Sequence, residues 1–231
     1  MAPKVLVVLT SFAYVESAGK PAGWFLPELA HPYEVLTGAG VEIVTASPKG
    51  GVAPLDPVSV EKFQDDASAQ AFLANKKAVW EDTQILSSFR GRSGEFAALF
   101  YPGGYGPMFD LVDDADSIAV IEEFAAAGKV VAAVCHGPIV LVNAKTKDGK
   151  ALLAGKDATG FSNAEEDAAG SSWYMPFLLE DRMRAVGAKF QKADQLFGEF
   201  VRVSDGGKLI TGQNPGSSRA VGEAILKEIS A

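Results

Sequence analysis

The amino-acid sequence predicts an α/β protein, an open sandwich built on a mostly parallel sheet. Short runs of β-branched and apolar residues alternate with amphipathic stretches along the 231 residues, which is the pattern of parallel strands joined by helices. Turns that contain glycine follow three of these apolar runs. Because 48% of the residues are hydrophobic, the chain can bury a sizeable core, and we expect one domain over residues 1–231.

Six strands and six helices are expected from this alternation. The strands are predicted over Lys4–Thr10, Val41–Ser47, Phe96–Tyr101, Val130–Val134, Phe200–Val203 and Leu209–Thr211. The helices are predicted over about Trp24–Thr37, across the Glu61–Phe89 region, and over Ala115–Ala127, His136–Val142, Pro176–Val186 and Ser217–Ile229. Gly38, Gly128 and Gly187 stand where helix C-caps are expected. The Gly50–Asp66 region, rich in Pro, Gly and Asp, is interpreted as a surface excursion.

The charge balance and the rarity of cysteine and histidine narrow the function classes. With 29 acidic and 21 basic residues, the formal net charge of −8 would repel a phosphate backbone, so no nucleic acid partner is expected. One cysteine and two histidines offer no disulfide and no zinc spacing, which favours a reducing, cytoplasmic location. The Val5–Leu9 run is too short for a signal peptide, and no run approaches the roughly 20 apolar residues of a membrane span.

The turns after the strands are where a ligand is expected, because ligands of open α/β sheets collect beyond the carboxyl ends of the strands. Three such turns are informative: Pro102–Gly106, Cys135–Pro138 and Gly212–Gly216. In the first, the Gly103-Gly104 pair would let backbone amides approach a bound carbonyl group. An ordinary strand-to-helix turn is the alternative interpretation of that pair.

Cys135 stands at the apex of a predicted nucleophile elbow. The buried strand Val130–Val134 is followed by an abrupt turn and an apolar helix, which is the layout of such an elbow. At a helix N-terminus the pKa of the thiol is expected to be lowered, and the turn amides can hold an oxyanion. The side chain of His136 is expected to point away from the sulfur. The alternative for Cys135 is a small buried hydrophobic residue.

Two regions supply acids that could serve this cysteine. Glu28 lies at helical spacing between Trp24 and His31 and could be a protonated acid or a poised base. A solvated surface carboxylate is the alternative, and His31, before Pro32, is interpreted as a packing residue. In the second region Ser162 and Glu165 fit a capping box. The adjacent Glu166 is left over and could orient His136.

With these residues in place, the chain resembles the ThiJ/PfpI superfamily and, within it, the chaperone-like, glutathione-independent glyoxalase III branch, often labelled type 1 glutamine amidotransferase-like. The resemblance covers nearly the whole chain and rests on five motifs: Gly23–Pro32, Pro102–Pro107, Ala133–Pro138, Thr159–Glu166 and Thr211–Pro215. It implies a flavodoxin-like three-layer sandwich with a nucleophile elbow.

Carried over residue by residue, the resemblance implies Cys135 as the nucleophile, His136 as its partner and Glu28 as the acid beside the sulfur. Glu166 matches the position that holds the histidine in members with a triad, and Gly104 with the elbow amides matches the oxyanion hole. Many relatives have histidine where this chain has Tyr105, so a group that contacts the substrate differs. True glutaminase activity is disfavoured, because the late motif Gln213-Asn214-Pro215 has no histidine for an amidotransferase triad.

The expected activity is the conversion of methylglyoxal to lactate through a hemithioacetal on Cys135, with no glutathione, metal or nucleotide cofactor. The partners implied are a small reactive aldehyde and a second copy of the chain in a homodimer. Three alternatives stay open: a stress-response holding chaperone that binds unfolded client proteins, a redox sensor in which Cys135 forms a sulfinate, and a protein deglycase or peptidase.

Overall fold

The computed structural model describes residues 2–230. Eleven strands are found within that range: β1 (Lys4–Val8), β2 (Tyr14–Val15), β3 (Lys20–Pro21), β4 (Glu42–Ser47), β5 (Gln84–Ile85), β6 (Ala98–Tyr101), β7 (Val130–Val134), β8 (Asp157–Ala158), β9 (Lys189–Phe190), β10 (Val201–Ser204) and β11 (Leu209–Gly212). The α-helices of the same range are α1 (Leu26–Gly38), α2 (Pro57–Lys62), α3 (Ala67–Asn75), α4 (Ala78–Glu81), α5 (Ala115–Ala126), α6 (Asn163–Ala169), α7 (Leu179–Ala185) and α8 (Ser218–Ile229).

Seven strands form the central sheet in the order β10-β11-β7-β6-β1-β4-β5. Every neighbouring pair is parallel except β10 and β11, which are antiparallel. All the residues of β6 and β7 are buried, as expected for parallel strands with both faces covered. Helices α1 and α8 pack against each other and against the sheet, and α5 packs on β6 and β7. The predicted open, mostly parallel α/β sandwich is confirmed.

The turns that the sequence singled out meet at one edge of the sheet. Strand β7 lies between β6 and β11, with Tyr101 opposite Ala133 and Gly212 opposite Val134. Because these strands run parallel, their carboxyl ends place the turns after Tyr101, Val134 and Gly212 side by side. The sheet register therefore brings the glycine pair, the cysteine and the late Gln-Asn-Pro motif together.

Four local predictions differ from the structure, besides the two-residue strands β2, β3, β8 and β9, which were not predicted. The stretch Glu61–Phe89 is not one helix: α2, α3 and α4 are short, Asp56 and Asp66 cap the first two, and the edge strand β5 follows. The predicted helix His136–Val142 is a five-residue 3₁₀ helix over Gly137–Leu141. Helix α6 was not among the predicted helices, although its capping box was recognised.

The fourth difference concerns a predicted helix C-cap. Gly38 is the last residue of α1, and Gly40 adopts the left-handed conformation after it, with φ of +80°. Gly128 and Gly187 do follow α5 and α7 with positive φ, as predicted. Within residues 2–230, no helix is both long enough and apolar enough to cross a membrane.

Candidate active site

Cys135 lies on a strained turn directly after β7. Its φ is +60°, a conformation that non-glycine residues rarely adopt and that clusters at functional sites. Two backbone bonds fix the turn: the Cys135 N–H donates to the Gly212 carbonyl at 3.0 Å, and its carbonyl accepts from the Phe161 N–H at 2.8 Å. A Cβ at Gly137 would lie 2.4 Å from the Tyr101 carbonyl oxygen. Only glycine therefore lets the backbone after Cys135 pass this close to the end of β6.

Glu28 projects from the first turn of α1 and is completely buried. Its Oε2 accepts a hydrogen bond of 2.7 Å from the Gly103 N–H, and Oε1 has no hydrogen-bond partner among the described residues. Burial raises the pKa of Glu28 to about 8, so the carboxyl is protonated at neutral pH. The carboxyl is within hydrogen-bond reach of the Cys135 thiol, and Glu28 is among the residues that line the adjoining cavity.

The Cys135 thiol does not have the lowered pKa predicted for a helix N-terminus. Burial, and then the charge that Glu28 carries once it ionises above about pH 8, raise the pKa of the thiol well above its usual range. The side chain is only 4% exposed, and the following 3₁₀ helix is too short to supply the expected dipole. The prediction was wrong in direction, and the thiol needs a base to become a nucleophile.

His136 supplies a base in contact with the sulfur. Its Nδ1 lies 3.4 Å from Cys135 Sγ, so the expectation that the side chain points away from the sulfur is wrong. The left-handed turn at Cys135 brings the two adjacent side chains to the same side of the chain. On the other side of the ring, Nε2 lies 2.7 Å from Glu166 Oε2. Sulfur, imidazole and carboxylate thus form a continuous chain of contacts.

Glu166 is buried at the N-terminus of α6 and has a partner for each oxygen. His136 contacts Oε2, and the Ser171 hydroxyl donates to Oε1. Burial alone would raise the pKa of Glu166, but the attraction of His136 and the two hydrogen bonds outweigh it, and the pKa is lowered. Glu166 is therefore ionised at neutral pH and can stabilise a protonated His136.

Gly104 contributes a backbone amide beside the sulfur. Its φ is +84°, and a Cβ at this position would lie 2.2 Å from the Gly23 carbonyl oxygen, so the loop after β6 requires glycine here. A hydrogen bond from the Gly104 backbone opposes burial by lowering the pKa of the Cys135 thiol. An amide in this position can also donate to an oxyanion formed at the sulfur.

The remaining sequence candidates lie around this centre or away from it. His31 is outside the cavity and pairs with Asp66 at 2.7 Å. The capping box of Ser162 and Glu165 is confirmed. Tyr105 packs its ring against His136, with 5.0 Å between the centroids.

A cavity of about 660 Å³ opens in front of Cys135. Sequence reasoning named the centre of this cavity but missed most of its wall, which includes Lys20, Phe25, Asp56, Lys62, Phe63, Phe161, Tyr174 and Phe197. These residues come from five separate segments of the chain. The Gly50–Asp66 region, interpreted as a surface excursion, supplies part of the wall through α2. Of the missed residues only Phe25 and Phe161 lay within motifs used for the resemblance.

The chain is thus an α/β protein whose cysteine lies at a nucleophile elbow. An adjacent histidine and two buried glutamates surround that cysteine. The chain belongs to the DJ-1/PfpI family, whose model matches residues 26–228. The resemblance drawn from the motifs is confirmed.

Individual relatives are similar over almost their whole length. The chain is 31% identical to the "Glutathione-independent glyoxalase HSP31" of Saccharomyces cerevisiae, over 95% of each protein. It superposes on the crystal structure of glyoxalase III from Candida albicans with a TM-score of 0.83 at 27% identity, covering 98% of this chain and 97% of that one. Against the Rapid Encystment Protein 24 KDa of Francisella tularensis, the TM-score is 0.91 at 33% identity, with 98% and 99% covered.

Proposed function

We propose that this protein is a glutathione-independent glyoxalase that converts methylglyoxal to lactate. The observation that carries the proposal is the placement of the Cys135 thiol between two acid–base groups of opposite character. Protonated Glu28 lies on one side, and His136 paired with ionised Glu166 lies on the other. The names of the two fungal relatives support the same activity.

The first step is addition of the sulfur to the aldehyde carbon, C1. His136 takes the thiol proton, and Glu166 stabilises the imidazolium that forms. The Cys135 thiolate bonds to C1, and the carbonyl electron pair moves to the aldehyde oxygen, which the Gly104 amide and the elbow amides stabilise. The imidazolium then protonates that oxygen, which leaves a neutral hemithioacetal and a neutral His136.

The second step moves hydrogen from C1 to C2. His136 removes the C1 proton while Glu28 gives its proton to the C2 carbonyl oxygen, which forms an enediol. The imidazolium returns a proton to C2, and the C1 hydroxyl returns one to Glu28. The product is a lactoyl thioester on Cys135, with both acid–base groups restored. Water hydrolyses this thioester to lactate and the free thiol.

The experiment is lactate formation from methylglyoxal in buffer free of glutathione, with the wild-type protein and Cys135→Ala. We expect no lactate above the uncatalysed rate from the variant, because the covalent intermediate cannot form. A thermal unfolding curve that matches wild type shows that the variant is folded. Full activity of folded Cys135→Ala would end the proposal. A homodimer and a cytoplasmic location remain predictions from the resemblance and the composition.

A further inference from the structure

The cavity is far larger than the substrate of the proposed function. Methylglyoxal carries a single methyl group on its α-oxoaldehyde unit, whereas the cavity holds about 660 Å³. Cavities of roughly 300 to 1,000 Å³ are those that enclose ligands of drug size. Methylglyoxal bound at Cys135 would leave most of this apolar volume to water.

Aromatic side chains line the cavity as three contacting pairs. Phe25 meets Phe63 at 5.9 Å, Tyr105 meets Tyr174 at 5.7 Å, and Phe161 meets Phe197 at 6.1 Å between ring centroids. The ring of Phe161 also packs on His136 at 4.5 Å, so the third pair forms a wall that begins at the reacting centre and ends at the mouth. Ring faces and edges of this kind favour a planar apolar group.

Phe197, at the outer end of that wall, is held in a strained conformation. Its φ is +59°, which is costly for a bulky side chain and persists only where neighbouring groups enforce it. Its N–H donates to buried Glu165 Oε1 at 3.0 Å. Asn214 donates to the same oxygen at 2.8 Å and to the Gly198 carbonyl at 2.7 Å. The late Gln-Asn-Pro motif thus clamps Phe197 rather than completing a triad.

Phe197 as a residue is half exposed, at 47%, although it lines the cavity. A large apolar surface at a cavity mouth gains free energy when a ligand removes it from water. The fold therefore holds a half-exposed phenylalanine in the cavity wall at the cost of backbone strain. Among the described residues, the aromatic rings that pack on His136 are those of Tyr105 and Phe161, and Phe197 is not one of them.

We propose that this site takes α-oxoaldehydes whose substituent is a planar apolar ring, and that Phe197 is the residue that selects them. The inference rests on the proposed glyoxalase function. With phenylglyoxal the same steps apply: Cys135 adds to the aldehyde, the C1 hydrogen moves to C2, and water releases mandelate. The substituent ring lies between the Phe161–Phe197 wall and the facing aromatic side chains.

The test compares initial rates for phenylglyoxal and methylglyoxal, as mandelate and lactate formed without glutathione. In wild type, kcat/KM is expected to be about 10-fold or more higher for phenylglyoxal, in line with the effect of apolar pocket contacts. Phe197→Gly accepts the positive φ and removes only the ring. It should lower the ratio of kcat/KM for phenylglyoxal to kcat/KM for methylglyoxal about 10-fold.

Two control variants separate the ring from its surroundings. Leu196→Ala removes an exposed apolar neighbour that does not line the cavity, and it should leave the ratio of the two kcat/KM values unchanged. Phe197→Tyr keeps the ring and should keep the ratio. The inference is overturned if wild type prefers methylglyoxal, or if Phe197→Gly lowers both kcat/KM values equally. Absence of both products from wild type would instead overturn the proposed function itself.

Discussion

Two buried glutamates flank the Cys135–His136 pair, and their environments give them opposite acid–base character. For Glu28, burial outweighs the hydrogen bonds to the carboxyl and raises its pKa to about 8. Glu166 is paired with His136 and bonded by Ser171, and its pKa is lowered. Two carboxylates whose pKa values are pushed apart in one site identify the acid and the base of a proton-transfer reaction. Glu28 is the proton donor, and Glu166 is the fixed negative charge.

The largest expected effect of this contrast is on stability. For Glu28 the pKa is 4.5 in the unfolded chain and about 8 when folded, so between these pH values the folded state binds more protons. Its contribution to the free energy of unfolding is complete below pH 4.5 and falls as the pH rises to about 8. The fall amounts to up to about 5 kcal/mol, at 1.36 kcal/mol for each unit of pKa shift. Glu28→Gln removes this dependence.

Urea unfolding from pH 4 to 8.5 measures this difference between wild type and Glu28→Gln. Glu166→Gln is the matched control, because the lowered pKa of Glu166 has the opposite sign. Its contribution is present above the unfolded pKa of 4.5 and is lost only as the pH falls through the folded pKa. The opposite result is a difference in the free energy of unfolding between wild type and Glu28→Gln that stays constant from pH 4.5 to about 8. That result would mean that Glu28 is ionised in the folded protein and that the two glutamates do not differ in acid–base character.

The sheet and the residues at the centre of the site could be predicted from the sequence better than the surroundings of the site's side chains. The run Val130–Val134 followed by Cys-His-Gly is a local pattern, so the strand and the elbow could be read from it directly. The pKa of Cys135 could not, because it depends on burial by residues from other segments and on Glu28, more than 100 positions earlier. The strands β2, β3, β5, β8 and β9 were missed because two residues carry no periodicity.

The aromatic wall was missed for a related reason. Glu165 and Asn214 hold the backbone around Phe197, whose ring contacts Phe161, and no spacing in the sequence signals that contact. The orientation of His136 was wrong because the expectation assumed ordinary backbone at Cys135, where the structure has a left-handed turn. Local pattern thus identifies which residues react, and tertiary contacts decide their protonation and what they can bind.

The second prediction concerns the proton that Glu28 provides. Glu28→Gln keeps an oxygen that accepts from the Gly103 N–H but has no acidic proton to transfer. Loss of a positioned general acid typically lowers the rate 10²- to 10⁴-fold, about 3 to 5 kcal/mol of barrier. We expect kcat for methylglyoxal to fall by that range with little change in KM. In wild type, kcat should decline above about pH 8 as Glu28 ionises. A variant with wild-type kcat would remove Glu28 from the mechanism.

The smallest effect is expected on the Glu166 side, where the carboxylate acts through His136. Glu166→Gln keeps a group that can hydrogen-bond the imidazole but loses the charge that stabilises the protonated imidazole. We therefore expect kcat to fall about 10- to 100-fold, which corresponds to the roughly 1.5 to 3 kcal/mol of a hydrogen bond to a charged group. Ser171→Ala leaves the charge and removes one hydrogen bond to Oε1, and its loss should be only about fivefold. Steady-state lactate assays on both variants show which substitution lowers kcat more. If Glu166→Gln cost more than Glu28→Gln, the fixed charge rather than the proton donor would dominate catalysis.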